Sequence, residues 1–296
     1  MAKIAVELEK AIAQRAEEGT RGGIAGRVLA RGAGWLVEDL VCTCGPRDRP
    51  FEEQHKETSI AIVVAGGFQY RSGKGSELMT PGTVLLGNVG QWFECGHEHG
   101  NGDRCVSFHY APEYFERIMA GAGLGEMEFR GLRIPAVREV SGLVTRACRG
   151  IDRLGAEMNW EELAVELGGR ALELASDGKR PSEEVAASTL ARVTRSVRAI
   201  ERGAEGEMSL AVMAREAGLS PYHFLRTFVR LTGVTPHRYV RRMRLREAAV
   251  LLARETARVL DIAFDCGFGD VSNFNRAFLE EYGMSPRRYR KMANRE

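Results

Sequence analysis

The sequence predicts an α+β protein, with a β-rich N-terminal part and an all-α C-terminal part, and three observations point to it. Residues 28 to 110 break into short β-rich runs such as GWLVEDLVCTC, TSIAIVVAGGFQYR, GTVLLGNVGQWF and RCVSFHY, separated by Gly, Pro and Asp. Runs spaced this way suit a sandwich or small barrel. Beyond residue 187 the chain reads as helices throughout and contains an imperfect internal repeat. The third observation is charge: residues 187 to 296 carry 20 Arg or Lys against 12 Asp or Glu, whereas residues 1 to 186 carry 22 against 28. A net charge of +2 thus conceals a basic end suited to a polyanion.

With 296 residues, 44% of them hydrophobic and 28% charged, the chain has the composition of a folded soluble protein of about two domains. Its longest apolar run, Ile60 to Phe68, reads as one buried strand. It is far short of the roughly 20 residues that cross a bilayer. Glu7, Glu9, Glu17 and Glu18 interrupt the N-terminus, which therefore lacks the apolar centre of a secretion signal. The cytoplasm is the expected location, and no membrane partner is expected. Six cysteines in a cytosolic chain of this length are expected to stay reduced.

In chain order, Ile4, Leu8 and Ile12 stand at helical spacing over residues 2 to 18 and predict a short amphipathic helix that ends at Gly19. The β-rich stretch follows. Pro112 to Ala120 predicts a helix leaving it, and two longer helices are predicted over Val137 to Leu154 and Trp160 to Ala175. Ile134, Val137, Val140, Leu143, Val144, Ile151 and Leu154 form one apolar stripe; Trp160, Leu163, Leu167, Ala171 and Leu174 form another. These stripes suit either packing on the chain's own β-structure or a dimer interface. SDGKRPSEE, residues 176 to 184, has the Gly, Pro, Ser and mixed charge of a linker. The boundaries so drawn are 1 to 120, 121 to 180 and 187 to 296.

The repeat pairs residues 214 to 239 with residues 263 to 289. Phe224, Arg226, Phe228, Gly233, Pro236 and Tyr239 recur as Phe274, Arg276, Phe278, Gly283, Pro286 and Tyr289, the second copy being one residue longer in its turn. Each copy holds what two steeply crossing helices require. Ala214 and Ala263 permit close approach, and Gly218 and Gly267 suit a left-handed turn position. Ser220 with Pro221, and Asp270, cap the second helices, over 221 to 232 and 271 to 282. Thr235-Pro236 and Ser285-Pro286 cap the next ones. The connecting helix, Pro236 to Ala253, is about 27 Å long at 1.5 Å per residue, close to the roughly 34 Å between successive major grooves on one face of DNA.

GFGDVSNFNRAFLEEYGMSPRRYR closely resembles the signature of the AraC/XylS transcription regulators, and the resemblance extends over about residues 190 to 291. GSELMTPGTVLLGN resembles the Pro-Gly turn of the cupin-like barrel that the family often carries. The resemblance implies a sequence-specific DNA-binding regulator: a cupin-like barrel with flanking helices, then an all-α domain of two helix-turn-helix units. Residues 1 to 120 would be the regulatory barrel, 121 to 180 a dimerisation or connector region, and 187 to 296 the DNA-binding domain. Double-stranded DNA, a small-molecule effector, RNA polymerase and a second copy of the chain are the implied partners.

Residues of each second helix that face away from the phenylalanines are free to meet base edges. They are Pro221, Tyr222, Leu225 and Arg226, then Val271, Ser272, Asn273, Asn275 and Arg276. Arginine pairs bidentately with guanine and asparagine with adenine, and by resemblance Arg226 and Arg276 match positions used for base or backbone contact. Arg230, Arg241, Arg242, Arg244, Arg287, Arg288 and Lys291 suit phosphate contact or plain surface.

The barrel offers two candidate sites. Strand alternation suggests an apolar effector pocket lined by Trp35, Tyr70, Trp92 and Phe108. CGHEHGNGDRC sets Cys95, His97, His99 and Cys105 within eleven residues, with His109, Cys42 and Cys44 further off, and strand alternation would put Cys95, His97 and His99 on one face. The favoured reading is packing for Cys95 and Cys105 and a loop role for the histidines; the alternative is that these donors hold a metal ion or form a redox pair, making the chain a metal- or redox-sensing regulator. His55 and Glu57 resemble the first part of a cupin metal set, but no histidine follows Pro81-Gly82 to complete it. No cofactor is required by the sequence, and a metal ion is the one candidate. No enzyme site is legible; some DNA repair proteins join similar helices to a cysteine alkyl acceptor, for which Cys42 and Cys95 are candidates, but the Pro-Cys-His-Arg motif is missing.

Overall fold

The computed structural model describes residues 3–123, 128–152, 158–176, 186–202 and 208–293. Helix α1 (Lys3–Glu18) precedes nine strands: β1 (Ile24–Gly32), β2 (Trp35–Cys42), β3 (Phe51–Gln54), β4 (Thr58–Gly66), β5 (Phe68–Ser72), β6 (Gly75–Met79), β7 (Val84–Gly87), β8 (Trp92–Gly96) and β9 (Asp103–Tyr110). Helix α2 (Pro112–Gly121) and the short strand β10 (Arg133–Ile134) lead to α3 (Arg138–Asp152) and α4 (Trp160–Ser176). The apolar run expected to be one strand is in fact two, because the chain turns at Gly66 and Gly67 before Phe68 opens β5. Leu154 and residues 177–184 of the expected linker lie outside the described residues.

All strand pairs are antiparallel. One sheet has the order β1-β2-β9-β4-β7-β10 and the other β3-β8-β5-β6. Alternation sends Ala61 and Val63 of β4 to the space between the sheets, where Tyr70, Met79, Leu85, Cys95 and Cys105 join them. Ile60 and Ile62, with Val106 and Phe108, face the other way onto a second core shared with Phe115, Val140, Val144, Leu163 and Leu167 of the helices. The inner strands β4, β7 and β9 of the large sheet are therefore buried on both sides, whereas its edge strand β1 is largely exposed. The described residues of the two helical stripes pack on the chain's own β-structure.

The C-terminal part comprises α5 (Ala187–Glu201), α6 (Leu210–Glu216), α7 (Pro221–Thr232), α8 (Pro236–Arg254), α9 (Val259–Asp265), α10 (Val271–Tyr282) and α11 (Pro286–Ala293). It holds two cores. One gathers Val193, Val197, Met213, Phe224, Phe228 and Tyr239, and also takes in Leu78 and Ala136 from the barrel side. The other gathers Leu245, Leu252, Ile262, Phe268, Phe274 and Phe278. Continuous α8 passes from the first core to the second.

Candidate nucleic-acid interface

The repeat in sequence is a repeat in space. Phe224 and Phe228 have ring centroids 5.6 Å apart, Phe274 and Phe278 5.5 Å, and all four side chains are fully buried. Phe228 meets Tyr239 edge-on at 5.7 Å and 77°; Phe278 meets Tyr289 at 5.4 Å and 78°. Gly218 (φ 63°) and Gly267 (φ 81°) make the left-handed turns, a conformation a β-carbon would penalise. Ser220 Oγ accepts from His223 N at 3.3 Å, and Asp270 accepts from Ser272 N at 3.2 Å and Asn273 N at 2.7 Å, so both second helices begin at the expected caps. Thr235 and Ser285 cap α8 and α11 in the same manner.

Burying the phenylalanines turns the opposite faces of α7 and α10 outward. Pro221, Tyr222 and Arg226 are exposed and Leu225 half-buried on the first; Ser272, Asn273, Asn275 and Arg276 are exposed and Val271 half-buried on the second. The Arg226 guanidinium lies over the Tyr222 ring at 5.7 Å, and Arg276 Nη2 donates to Asn273 Oδ1 at 3.3 Å. Each arginine thus keeps most of its donors for an outside acceptor. Arg287, Arg288 and Lys291 are also exposed. Three arginines of the set read as phosphate contacts or plain surface also make contacts within the chain. Arg241 pairs with Glu280 at 3.3 Å, Arg242 with buried Glu281 at 3.0 Å, and Arg244 Nη1 donates to Gly267 O at 2.7 Å.

Several polar contacts join these helices to the barrel side. Tyr239 Oη donates to Pro81 O (3.2 Å) at the Pro-Gly turn between β6 and β7, and Arg242 Nη1 to Ala136 O (3.0 Å). Glu201 accepts from Gly66 N at 2.8 Å. Glu281 accepts from Ser141 Oγ, and Thr145 Oγ1 lies 3.1 Å from Tyr282 Oη. Sequence reasoning did not single out Ser141, Thr145, Glu201, Glu281 or Tyr282, and it read Arg242 as phosphate contact or plain surface, because a polar residue inside an amphipathic helix reads as solvated surface. Only the recurrence of Tyr239 as Tyr289 offered a signal.

The barrel residues do not assemble as expected. Trp92 is 63% exposed, Tyr70 lies between the sheets, and Phe108 points the opposite way, toward Trp160 of α4. Trp35 is half-buried and packs against that same helical core. The four therefore line no common pocket. Tyr70 instead bonds His55 Nε2 at 2.8 Å, and His55 stacks on Phe93 at 4.2 Å. Burial pulls the His55 imidazole down to a pKa of about 4. A cleft of about 640 Å³ does open outside the large sheet, between α1, β1, β2 and α3, lined by Glu7, Lys10, Arg27, Asp39 and Arg104.

Among the described residues, His97 alone of Cys95, His97, His99 and Cys105 enters a group of donors close enough to share an ion, and its companions are Cys42 and Cys44. Cys95 and Cys105 are packed between the sheets. β8 ends at Gly96, so strand alternation does not reach His97 or His99, which occupy a turn closed by Gly100 N donating to His97 O at 3.2 Å. Burial pushes the Cys42 and Cys95 thiols up.

Comparison with known proteins adds two matches. A family model described as a helix-turn-helix domain matches residues 213–292, and one described as an AraC-like ligand binding domain matches residues 38–168. The chain belongs to the AraC/XylS family. The transcriptional activator RhaS of Salmonella agona is 32% identical over 155 residues, covering 52% of this chain and 53% of RhaS. The transcriptional regulator Rv1931c of Mycobacterium tuberculosis is 39% identical over 88 residues, 30% of this chain and 34% of that protein. A solved AraC-type regulator from Chromobacterium violaceum is 25% identical, with a TM-score of 0.33, over 36% of this chain and 96% of its own. The chain thus spans about half or less of the curated relatives it matches. Within this AraC/XylS chain the helix-turn-helix match takes in both hairpins, and the ligand-binding match runs from β2 to α4.

Proposed function

We propose that the chain is a cytoplasmic transcription regulator that grips duplex DNA with α7 and α10 in successive major grooves. One observation carries this reading: two hairpins of the same internal geometry, joined by the 19-residue α8, about 28 Å long, each present an exposed arginine. Arg226 and Arg276 would read bases together with Tyr222, Asn273 and Asn275, while Arg287, Arg288 and Lys291 would meet phosphates. The family is one of DNA-binding regulators rather than enzymes. Among the described residues no helix is long and apolar enough to cross a membrane.

A small effector would tune this grip. The cleft, which sets Val6, Val41 and Ile151 beside Lys10 and the mutually paired Glu7, Arg27, Asp39 and Arg104, supports an effector with apolar and charged parts better than the scattered aromatics support a purely apolar one. Contact with RNA polymerase and pairing of two copies belong to the same proposal and are supported by the family rather than by any surface of this chain. Fluorescence anisotropy with duplex DNA tests it. Affinity should fall steeply as salt rises. Arg226→Ala and Arg276→Ala should each weaken binding to a selected site by about 1–3 kcal/mol and to random DNA much less. Equal losses on both DNAs would move the arginines to the phosphate class, and salt-independent binding would defeat the reading.

A further inference from the structure

We infer that Cys42, Cys44 and His97 form a binding site for a thiolate-preferring cation, Zn²⁺, at one end of the barrel. One donor atom from each lies within 4.8 Å of the other two, and all three residues are buried. A tetrahedral zinc site with sulfur and nitrogen ligands needs neighbouring donors about 3.5–3.8 Å apart, so a small contraction suffices. Two sulfurs and one imidazole are a soft to borderline set, which disfavours Mg²⁺ and Ca²⁺. The incomplete cupin set, by contrast, would have begun with His55 and Glu57, and His55 is committed to Tyr70.

The surroundings fix the donors in place. Buried Asp103 holds His97 Nε2 at 2.6 Å, which sets the ring orientation and leaves Nδ1 as the nitrogen to ligate. A carboxylate behind a ligating imidazole is the usual support of a zinc histidine. Asp103 also stands opposite Cys42 in the β2–β9 ladder, so strand pairing itself brings the two segments together. The Cys44 carbonyl accepts from Gly102 N at 2.7 Å, and Asp48, paired with Arg15 at 2.8 Å, accepts from Gly45 N at 2.8 Å. On binding, Zn²⁺ would form two zinc–sulfur bonds and one zinc–nitrogen bond and keep one of its waters in the fourth position, and the two thiol protons would leave to solvent.

The turn that carries His97 also packs on α5. A β-carbon at Gly100 would lie 2.5 Å from Arg198 Nη2, and Leu190 and Thr194 line a small crevice with His97 and His99. An ion there would bear on the helical half; that consequence rests on the DNA-binding reading, whereas the site does not.

The test uses the full-length chain without an affinity tag, kept reduced, stripped with chelator and titrated with Co²⁺ and Zn²⁺. One equivalent of Co²⁺ should give thiolate-to-cobalt absorption that Zn²⁺ abolishes, and Zn²⁺ should shield Cys42 and Cys44 from alkylation, read by mass spectrometry on the wild-type chain. Cys42→Ser and Cys44→Ser should each lower the absorption, and Cys95→Ser and Cys105→Ser should leave it intact. Absence of the thiolate band together with unshielded Cys42 and Cys44 would overturn the site. So would shielding of Cys95 and Cys105 in their place. Neither result depends on DNA binding, so the site can fail while the regulator reading stands.

Discussion

The two hairpins share a plan but not a foundation. The first closes its core with Leu78 and Ala136 of the barrel side, and Tyr239 reaches Pro81. The second closes its core with residues of its own and α8, and meets α3 through polar contacts at Ser141 and Thr145. Equal internal geometry on unequal supports teaches where a signal can enter. A shift in the barrel would displace the first recognition helix through shared packing, whereas the second depends on a few hydrogen bonds.

The largest expected effect comes from breaking each core in turn. Phe228→Ala and Phe278→Ala should each cost about 3–5 kcal/mol. In hydrogen exchange, Phe228→Ala should loosen α7 together with β6, while Phe278→Ala should loosen α9 and α10 and spare the barrel. Matching exchange patterns in the two variants would erase the distinction.

Acid offers a milder way to divide the halves. His55 stays neutral in the fold down to about pH 4, whereas a freed histidine takes up its proton near pH 6.5. Between those values the unfolded chain binds more protons, so the stability that depends on His55 falls as pH drops from about 6.5 to about 4 and falls no further below. The loss is on the order of 3 kcal/mol. It should appear in the barrel and α7 before α10, and His55→Gln should flatten it in a pH series of thermal melts.

Removing one hydroxyl sharpens the contrast most finely. Tyr239→Phe deletes the bond to Pro81 and should cost about 1 kcal/mol, with added exchange at the β6–β7 turn. Unchanged protection at that turn would show that packing alone couples the first hairpin to the barrel.

The helical half was legible because its signals are local. Caps at Ser220 and Asp270, turns at Gly218 and Gly267, and paired phenylalanines all act within one or two turns of helix, and each stands where the spacing put it. The barrel was legible as strands but not as a site. Alternation tells which residues share a face; on a strand buried on both faces, such as β9, it does not tell which face meets the other sheet, and so Phe108 and Tyr70 part company. The metal donors were half-read for a related reason. Parity stops at Gly96, and Cys42 approaches His97 only through pairing of β2 with β9, a contact of long sequence separation. Glu281, adjacent to exposed Glu280, gave no sign that it would be buried between Arg242 and Ser141.

The most direct test of the paired-hairpin account is guanine-N7 methylation interference on a duplex selected from random sequence by the full-length chain. Two windows should emerge, centred about 10–10.5 base pairs apart, with Arg226→Ala erasing one and Arg276→Ala the other. A single window, or two that vanish together with either substitution, would contradict it.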